Sequence, residues 1–414
     1  MKSFETYLVK HYSPSYISIQ PDIDLQCIVV IPCYDETDLA PCLASLEKAA
    51  ENVDYPVEVI IVINDAEDDT AEVKARNKAM QQWLDNQLFS IPVHTIYMQD
   101  ILSKKAGVGF ARKIGMDEAC RRFCAIKCDQ GMIFSMDADT VVEHDYFLAV
   151  SNGFRISNKT CQVIYYEHDI DTIADGDHRL ATIRYELHLR YYVHALRSSG
   201  FPHAYQTLGS AFAVKAHAYA TMGGIKPSKA GEDFYFIQKF AMNDEVHEVR
   251  NTTVHPSPRV SHRVPFGTGK AISDALSNKK DYGKTYPWKA FEDMGSLLSR
   301  LDTLYTCRDW RTMNLADSIV SFFESIHFED ILRELQEHTT IYPNFRKRFF
   351  QKMNAFSMMK YIHYCVKEMN MGMEEINSAC CKLLGTKRIS FQQGISACGL
   401  LDLFRAMDKD SNEP

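Results

Sequence analysis

The chain has 414 residues, 46% hydrophobic and 24% charged, and its 54 acidic against 46 basic side chains leave a formal net charge of −8. That balance gives no general attraction to nucleic acid or to an anionic membrane surface, so any phosphate must be bound locally. No apolar run reaches the length that crosses a bilayer, and the opening stretch MKSFETYLVKHYSPS lacks the apolar segment of a secretory signal.

The 12 cysteines do not form a framework of bridges; several, such as Cys27, Cys33, Cys120 and Cys124, lie inside apolar patterns, as in a reducing compartment. A cytoplasmic protein is expected, at most peripheral on the inner membrane. Cys120, Cys124 and Cys128 recur on one helix face, but their spacing matches no common metal pattern, and a core-facing role is expected.

Strand signals come early. Cys27–Cys33 (CIVVIPC) and Val57–Ile63 (VEVIIVI) are continuous apolar runs, as in strands buried on both faces of a parallel sheet. Ile91–Tyr97 and Met132–Met136 follow. Helical patterns lie between them: Asp38–Ala50 with Thr37 or Asp38 as N-cap, Thr70–Leu88, and Gly109–Phe123. Alternation of this kind predicts βαβ units and an α/β fold with a mostly parallel sheet. Further along, Gln162–Tyr166 and Ala211–Lys215 read as strands and Leu180–Ser198 as a long helix. Beyond about residue 270 the pattern is helical, including Ala290–Cys307 and Phe345–Leu384, with a boundary in Ile272–Tyr286.

The chemistry centres on Asp137-Ala138-Asp139 at the end of an apolar strand. Two carboxylates one residue apart are hard oxygen ligands for Mg²⁺ or Mn²⁺, which bridge to diphosphates. Ligands of open parallel sheets bind beyond the carboxyl ends of the strands. Pro32, Tyr34, Asp35 and Glu36 end the first strand, and Asn64, Asp65, Asp68 and Asp69 end the second. Polar residues at three strand ends on one rim suit a nucleotide; each taken alone reads equally as a solvated turn.

In this order and spacing, the motifs resemble the family 2 glycosyltransferases of GT-A fold, bacterial type. Val29-Val30-Ile31-Pro32-Cys33-Tyr34-Asp35-Glu36 looks like the family's first strand and donor loop. Asn64-Asp65 with Asp68-Asp69-Thr70 is similar to its base-binding loop, and Gly109-Phe110-Ala111-Arg112 to its glycine–Ala-Arg helix start. Asp137-Ala138-Asp139 matches its metal motif. Gly209–Lys215, Gly223-Gly224-Ile225 and Gly231-Glu232-Asp233-Phe234 match its acceptor-side run.

The resemblance spans roughly residues 27–270. It implies a GT-A domain over residues 27–271, preceded by an N-terminal extension at 1–26 and followed by a helical region at 272–414. It implies a hexosyltransferase-type enzyme that moves a sugar from a nucleotide-diphosphate sugar to the hydroxyl of a saccharide, lipid-linked or small-molecule acceptor, with inversion. Asn64 and Asp65 would meet the base, beside Pro32, Tyr34 and Glu36. Asp137 and Asp139 would hold the metal, with Asp137 also at the donor. Asp233 would be the general base, with Glu232 beside it. The second loop departs from the family's usual Asp-Asp-Gly-Ser, and no Gln-x-x-Arg-Trp motif is present, which argues for non-processive transfer.

Basic residues complete the donor site. Lys105 and Arg112 flank the glycines at a helix start, a setting that suits phosphate. Arg259 and Arg263, in a Pro- and Gly-rich loop, could clamp phosphate by bidentate bonds. His255 or His262 is a candidate third metal ligand. Tyr185, His188, Tyr191 and Tyr192 are candidates for an acceptor platform or for helix packing.

Two other functions fit parts of the pattern. Asp137-Ala138-Asp139-Thr140 also matches the haloacid dehalogenase-type phosphatase motif, although several strand–helix units precede it here. A non-catalytic nucleotide-sugar-binding GT-A protein would have no need of Asp137, Asp139 and Asp233 together.

Overall fold

The computed structural model describes residues 2–11, 14–229, 231–261 and 267–410. The chain forms two compact units. The first comprises Met1–Gly176, Thr207–Asp274 and Asp408–Pro414; the second comprises Asp177–Gln206 and Ala275–Met407.

The first unit is built on an eight-stranded sheet. Its strands are β1 (Cys27–Cys33), β2 (Val57–Ala66), β3 (Val93–Ile101), β4 (Met132–Ser135), β5 (Val141–Val142), β6 (Cys161–Tyr166), β7 (Phe212–Lys215) and β8 (Val246–His255). They lie in the order β3-β2-β1-β4-β7-β6-β8-β5. Pairing is parallel from β3 to β4 and between β6 and β8; β7 and β5 run against their neighbours. The helices of this unit are α1 (Lys2–Lys10), α2 (Ala40–Ala50), α3 (Ala71–Asn86), α4 (Val108–Ala125), α5 (Tyr146–Ser157), α7 (Ala216–Thr221), α8 (Glu232–Ala241) and α9 (Thr268–Leu276), while α6 (Gly176–Ser198) enters the second unit. The α/β class, mostly parallel sheet and flanking helices agree with expectation.

The apolar runs of β1 and β2 are buried along their whole length because both faces are covered. Alternate residues Val29, Ile31, Val59 and Ile61 join Leu43, Leu46, Phe147 and Val150 of α2 and α5 in one core. The opposite face meets α4. A Cβ on Gly115 would come within 2.4 Å of Val30 Cγ1, so the glycine sets the close approach of helix and sheet. On the same side Arg122 of α4 grips the buried Glu58 of β2 with two bonds, of 2.6 and 2.7 Å.

Residues 2–10 form α1, which belongs to this unit. Tyr7 of α1 and Tyr219 of α7 both donate to Asp117 Oδ1 of α4, at 2.7 and 2.6 Å, and Lys113 donates to Asp117 Oδ2 at 2.7 Å. Gly224 leaves room for the Tyr7 hydroxyl, which a Cβ there would meet at 2.1 Å. Strand β8, like the short β5, is an element the sequence does not announce. Its buried Val246, Val249 and Val254 are separated by polar residues without strict alternation, and its pairing with β6 is interrupted by a bulge.

The second unit is helical, as expected for the C-terminal region, and it also claims α6. Its other elements are α10 (Trp288–Leu298), α11 (Leu301–Thr306), α12 (Asp317–Ser325), α13 (Phe328–Glu337), α14 (Tyr342–Lys352), α15 (Ala355–Lys367), α16 (Ile376–Thr386) and α17 (Ala397–Lys409), with a small antiparallel ladder of β9 (Lys284–Thr285) and β10 (Glu374–Glu375). The apolar stretch Phe345–Leu384 is broken at Asn354, whose Oδ1 accepts from Phe356 N and Ser357 N at 3.1 Å each and so starts α15 afresh. Glu186 of α6 is wholly buried and pairs with Arg190 at 2.8 Å and Arg405 at 2.8 Å. No helix among the described residues is long and apolar enough to cross a membrane.

Candidate functional site

The sheet has a topological switch point. From β1 the chain moves to β2 and β3 on one side and then to β4 on the other, which opens a crevice at the carboxyl ends of β1 and β4. Register brings the motifs there together. Val30 pairs with Ser135, Cys33 pairs with Ile63, and Met136 N donates to Val30 O at 3.1 Å. Asp137, Tyr34 and Asn64 therefore leave three neighbouring strands on one rim. Antiparallel β7 starts on this rim too, since Phe212 pairs with Ser135. Gly209 consequently sits beside Asp137.

The β1 and β2 loops are tied to each other. Tyr34 OH donates to Asp69 Oδ1 at 2.8 Å, and Asp69 Oδ2 accepts from Ala66 N at 2.7 Å. Asp35 takes a left-handed conformation (φ 54°) in which its N–H donates to Asn77 Oδ1 at 2.8 Å. Asn77, absent from the sequence reading, also donates to Asn64 O at 3.3 Å. Asp65 is buried, with Tyr97 OH on one oxygen at 2.6 Å and Asp100 N on the other at 2.8 Å. Asn64 is buried as well, and its Nδ2 has no hydrogen-bond partner among the described residues. Pro32 is buried inside β1.

The centre of the site is a carboxylate cluster built around one arginine. Arg112, 2% exposed, donates from one terminal nitrogen to Asp137 Oδ1 at 2.6 Å and from the other to Glu232 Oε1. Asp233 is beside them: a Cβ on Gly209 would lie 2.7 Å from the Arg112 guanidinium and 3.1 Å from Asp233 Oδ2. Gly209 is held in turn by Ser135 Oγ, which donates to its carbonyl at 2.7 Å. The Asp137 side chain keeps 41% of its exposure, yet the surrounding protein strips enough water to push its carboxyl above the ordinary range, with Asp233 adding to the rise and Arg112 opposing it. Burial raises Glu232 in the same way, against Arg112. Gly231 (φ 69°) turns the chain into α8 and places Glu232 and Asp233 in its first turn, where the helix dipole favours negative charge.

A second arginine spans the outer part of the site. Arg259 forms ion pairs with Asp139 Oδ2 at 2.7 Å and Glu36 Oε1 at 2.5 Å. Its loop is packed onto α9: Ser261 N donates to Gly269 O at 3.2 Å, and a Cβ on Gly269 would come within 3.0 Å of Arg259 O. His255 Nε2 lies 3.1 Å from Glu143 Oε1. Lys105 has an exposed side chain before α4. Arg263 and His262 lie outside the described residues.

Asp137 and Asp139 have the hard oxygen donors that Mg²⁺ and Mn²⁺ take. Among the described residues no group of three potential ligand side chains assembles, and His255 is engaged by Glu143. Glu36, Asp137, Asp139, Glu232 and Asp233 gather near Arg112 and Arg259. The donor chemistry of Asp137 and Asp139 thus fits such an ion, with Arg259 already paired to Asp139.

The aromatic helix α6 lies in the second unit. There His188 Nδ1 is 2.8 Å from Thr285 Oγ1, and Tyr185, His188 and Tyr192 pack on Tyr282 and Tyr286. Cys120 of α4 is buried while Cys124 and Cys128 are half-buried, all as free thiols.

No family model matches the chain, and no curated protein matches it. Among solved structures it is similar to residues 1–349 of S. aureus TarS in complex with UDP-GlcNAc, with 10% identity, coverage of 90% of this chain and 95% of that one, and a TM-score of 0.41. The same protein in complex with UDP gives 10% identity, 90% and 94% coverage, and a TM-score of 0.38. GalNAc-T7 with UDP, GalNAc and Mn²⁺ gives 13% identity, 72% and 57% coverage, and a TM-score of 0.35. Similarity at this level carries no information on the reaction.

Proposed function

We propose that this protein is a glycosyltransferase that moves a sugar from a nucleotide-diphosphate sugar to an acceptor hydroxyl by a single inverting displacement, one sugar per encounter. The observation that carries this reading is the meeting of Asp137 and Glu232 on Arg112 at the switch-point rim, with Asp233 beside the same guanidinium at Gly209. Its motifs resemble those of the family 2 enzymes of GT-A fold.

In this reading the nucleotide lies across the ends of β1 and β2. The unpaired Nδ2 of Asn64 is a donor suited to a base carbonyl. Tyr34 and Glu36 line the same edge, and Asp65 acts by fixing β3 through Tyr97 rather than by offering an unused oxygen. Asp137 and Asp139 would hold a divalent cation, whose charge would balance that of the departing diphosphate. Arg259, and Lys105 from its exposed position before α4, are the cations nearest in role to a phosphate clamp. Asp233, a carboxylate at a helix N-terminus, takes the proton of the attacking hydroxyl as the new bond forms. Glu232 is buried behind it on Arg112 and orients rather than reacts.

The test is a thermal-shift panel of nucleoside diphosphates and nucleotide sugars with Mg²⁺, Mn²⁺ or chelator, followed by assay of nucleoside diphosphate release with saccharide and lipid-linked acceptors. A uridine or guanosine diphosphate should raise the melting temperature only with metal present, because a ligand bound to the folded state stabilises it by mass action. Equal shifts in chelator would remove the metal from the reading, and no shift with any donor would remove the transferase.

A further inference from the structure

Given glycosyl transfer at this site, we propose that Arg112 is a positioning residue, a buried strut that joins the cation-binding strand end to the helix carrying the base. Its guanidinium is almost fully buried, so it has little surface to offer a donor phosphate. One terminal nitrogen holds Asp137 beyond β4 and the other holds Glu232 in the first turn of α8. These two elements are distant in sequence, and the arginine belongs to a third, α4.

The planar fork of an arginine fixes both the distance and the direction between two carboxylates, which a lysine point charge does not. Asp233 follows Glu232 directly, and its Oδ2 stands over the same Gly209 surface as the guanidinium. Movement of Glu232 therefore carries Asp233 with it. Glu232 is buried and its carboxyl is raised by that burial, so without the arginine the first turn of α8 has reason to open toward water. Gly209 completes the device, since any side chain there would push the strut aside. The strut thus sets the separation between the cation at Asp137 and the base at Asp233, across which the sugar and the attacking hydroxyl must fit. Small displacements of reacting groups are costly, on the order of a hundredfold for about 1 Å.

The experiment uses the full chain with Arg112→Lys and Glu232→Gln, chosen because Arg112→Ala would leave two buried carboxylates unpaired and endanger folding. Hydrogen exchange of peptides covering α8 is measured without ligands, and Mn²⁺ affinity, donor KM and kcat are measured in parallel. Both variants should show faster exchange confined to α8. Their kcat should fall about tenfold to a hundredfold, with donor KM and Mn²⁺ affinity within about threefold of wild type. Unchanged exchange in α8 overturns the strut, whatever the activity. Faster exchange with normal kcat also overturns it, because the arginine would then be structural only. A rise in donor KM that accounts for the whole loss overturns it in favour of donor binding. If wild type transfers no sugar, the transferase reading fails by itself, and the exchange data still decide whether Arg112 holds α8.

Discussion

The Nε of Arg259 lies 2.7 Å from Oδ2 of Asp139. A cation that binds Asp139 must therefore compete with a guanidinium already there, one that is also anchored on Glu36 at 2.5 Å. Arg259→Gln should tighten Mn²⁺ binding to the donor-free protein by about tenfold, equivalent to about 1.4 kcal/mol. Titration calorimetry, or the resonance signal of free Mn²⁺, would measure it. Donor affinity in the presence of Mn²⁺ should move the other way if Arg259 turns to the diphosphate. Unchanged metal affinity would mean that the pair at Asp139 does not oppose the ion.

Asp139→Ala and Asp233→Asn should separate binding from chemistry. The first should lose the metal-dependent rise in melting temperature caused by the donor. The second should keep it, while turnover falls by about a hundredfold or more, the usual scale for loss of a general base. Near-normal transfer by Asp233→Asn would place the base elsewhere and reopen the inverting mechanism.

Gly209→Ala probes the same cluster without removing a charge. The new Cβ would come 3.1 Å from Asp233 Oδ2 and 2.7 Å from the Arg112 guanidinium, which its ion pairs with Asp137 and Glu232 hold in place. We expect a stability cost of about 1–3 kcal/mol, typical of overpacking. Transfer should fall by more than the loss of folded protein explains. A variant with wild-type kcat at unchanged melting temperature would show that the cluster tolerates displacement.

The second unit should be acid-sensitive through His188. Burial, with a smaller push from Lys280, holds its imidazole down to about 3. The unfolded chain takes up a proton near the ordinary value of about 6.5, whereas the folded chain does not. Stability from this residue is complete above that value and is lost as pH falls from about 6.5 toward about 3, by about 1.4 kcal/mol per unit at most. The difference in denaturation free energy between wild type and His188→Gln, followed from pH about 7 to about 4, should shrink with acidification. A difference independent of pH would mean that the folded state admits the proton.

Much of the first unit was legible in the sequence. Continuous apolar runs marked β1, β2 and β4 because strands covered on both faces leave no polar alternation. The polar residues after each run marked the rim, since strand ends are where backbone meets solvent and ligand. The residue types of the cluster were legible for the same reason: Asp137, Asp139, Glu232 and Asp233 stand at element ends, where carboxylates serve metals and helix dipoles. Strand β8 was hidden because it is only partly buried, and a bulged, half-covered strand has no strict period. The continuity of Phe345–Leu384 misled because apolar content continues across Asn354, while the helix stops where that side chain captures two backbone N–H groups.

The sequence by itself determined the α/β class, the order of the motifs, and the rim on which they gather, because hydrophobic period and strand-end polarity are local properties. Only the tertiary structure decided who holds whom. It turned Arg112 from a cation at a helix start into a buried link between Asp137 and Glu232, gave Asp139 and Glu36 to Arg259, and gave His255 to Glu143. It also gave Gly209 its purpose as the space the guanidinium occupies. These pairings depend on strand order and register, and an ion pair forms between whichever opposite charges the fold brings within a few ångströms, however far apart they stand in the chain.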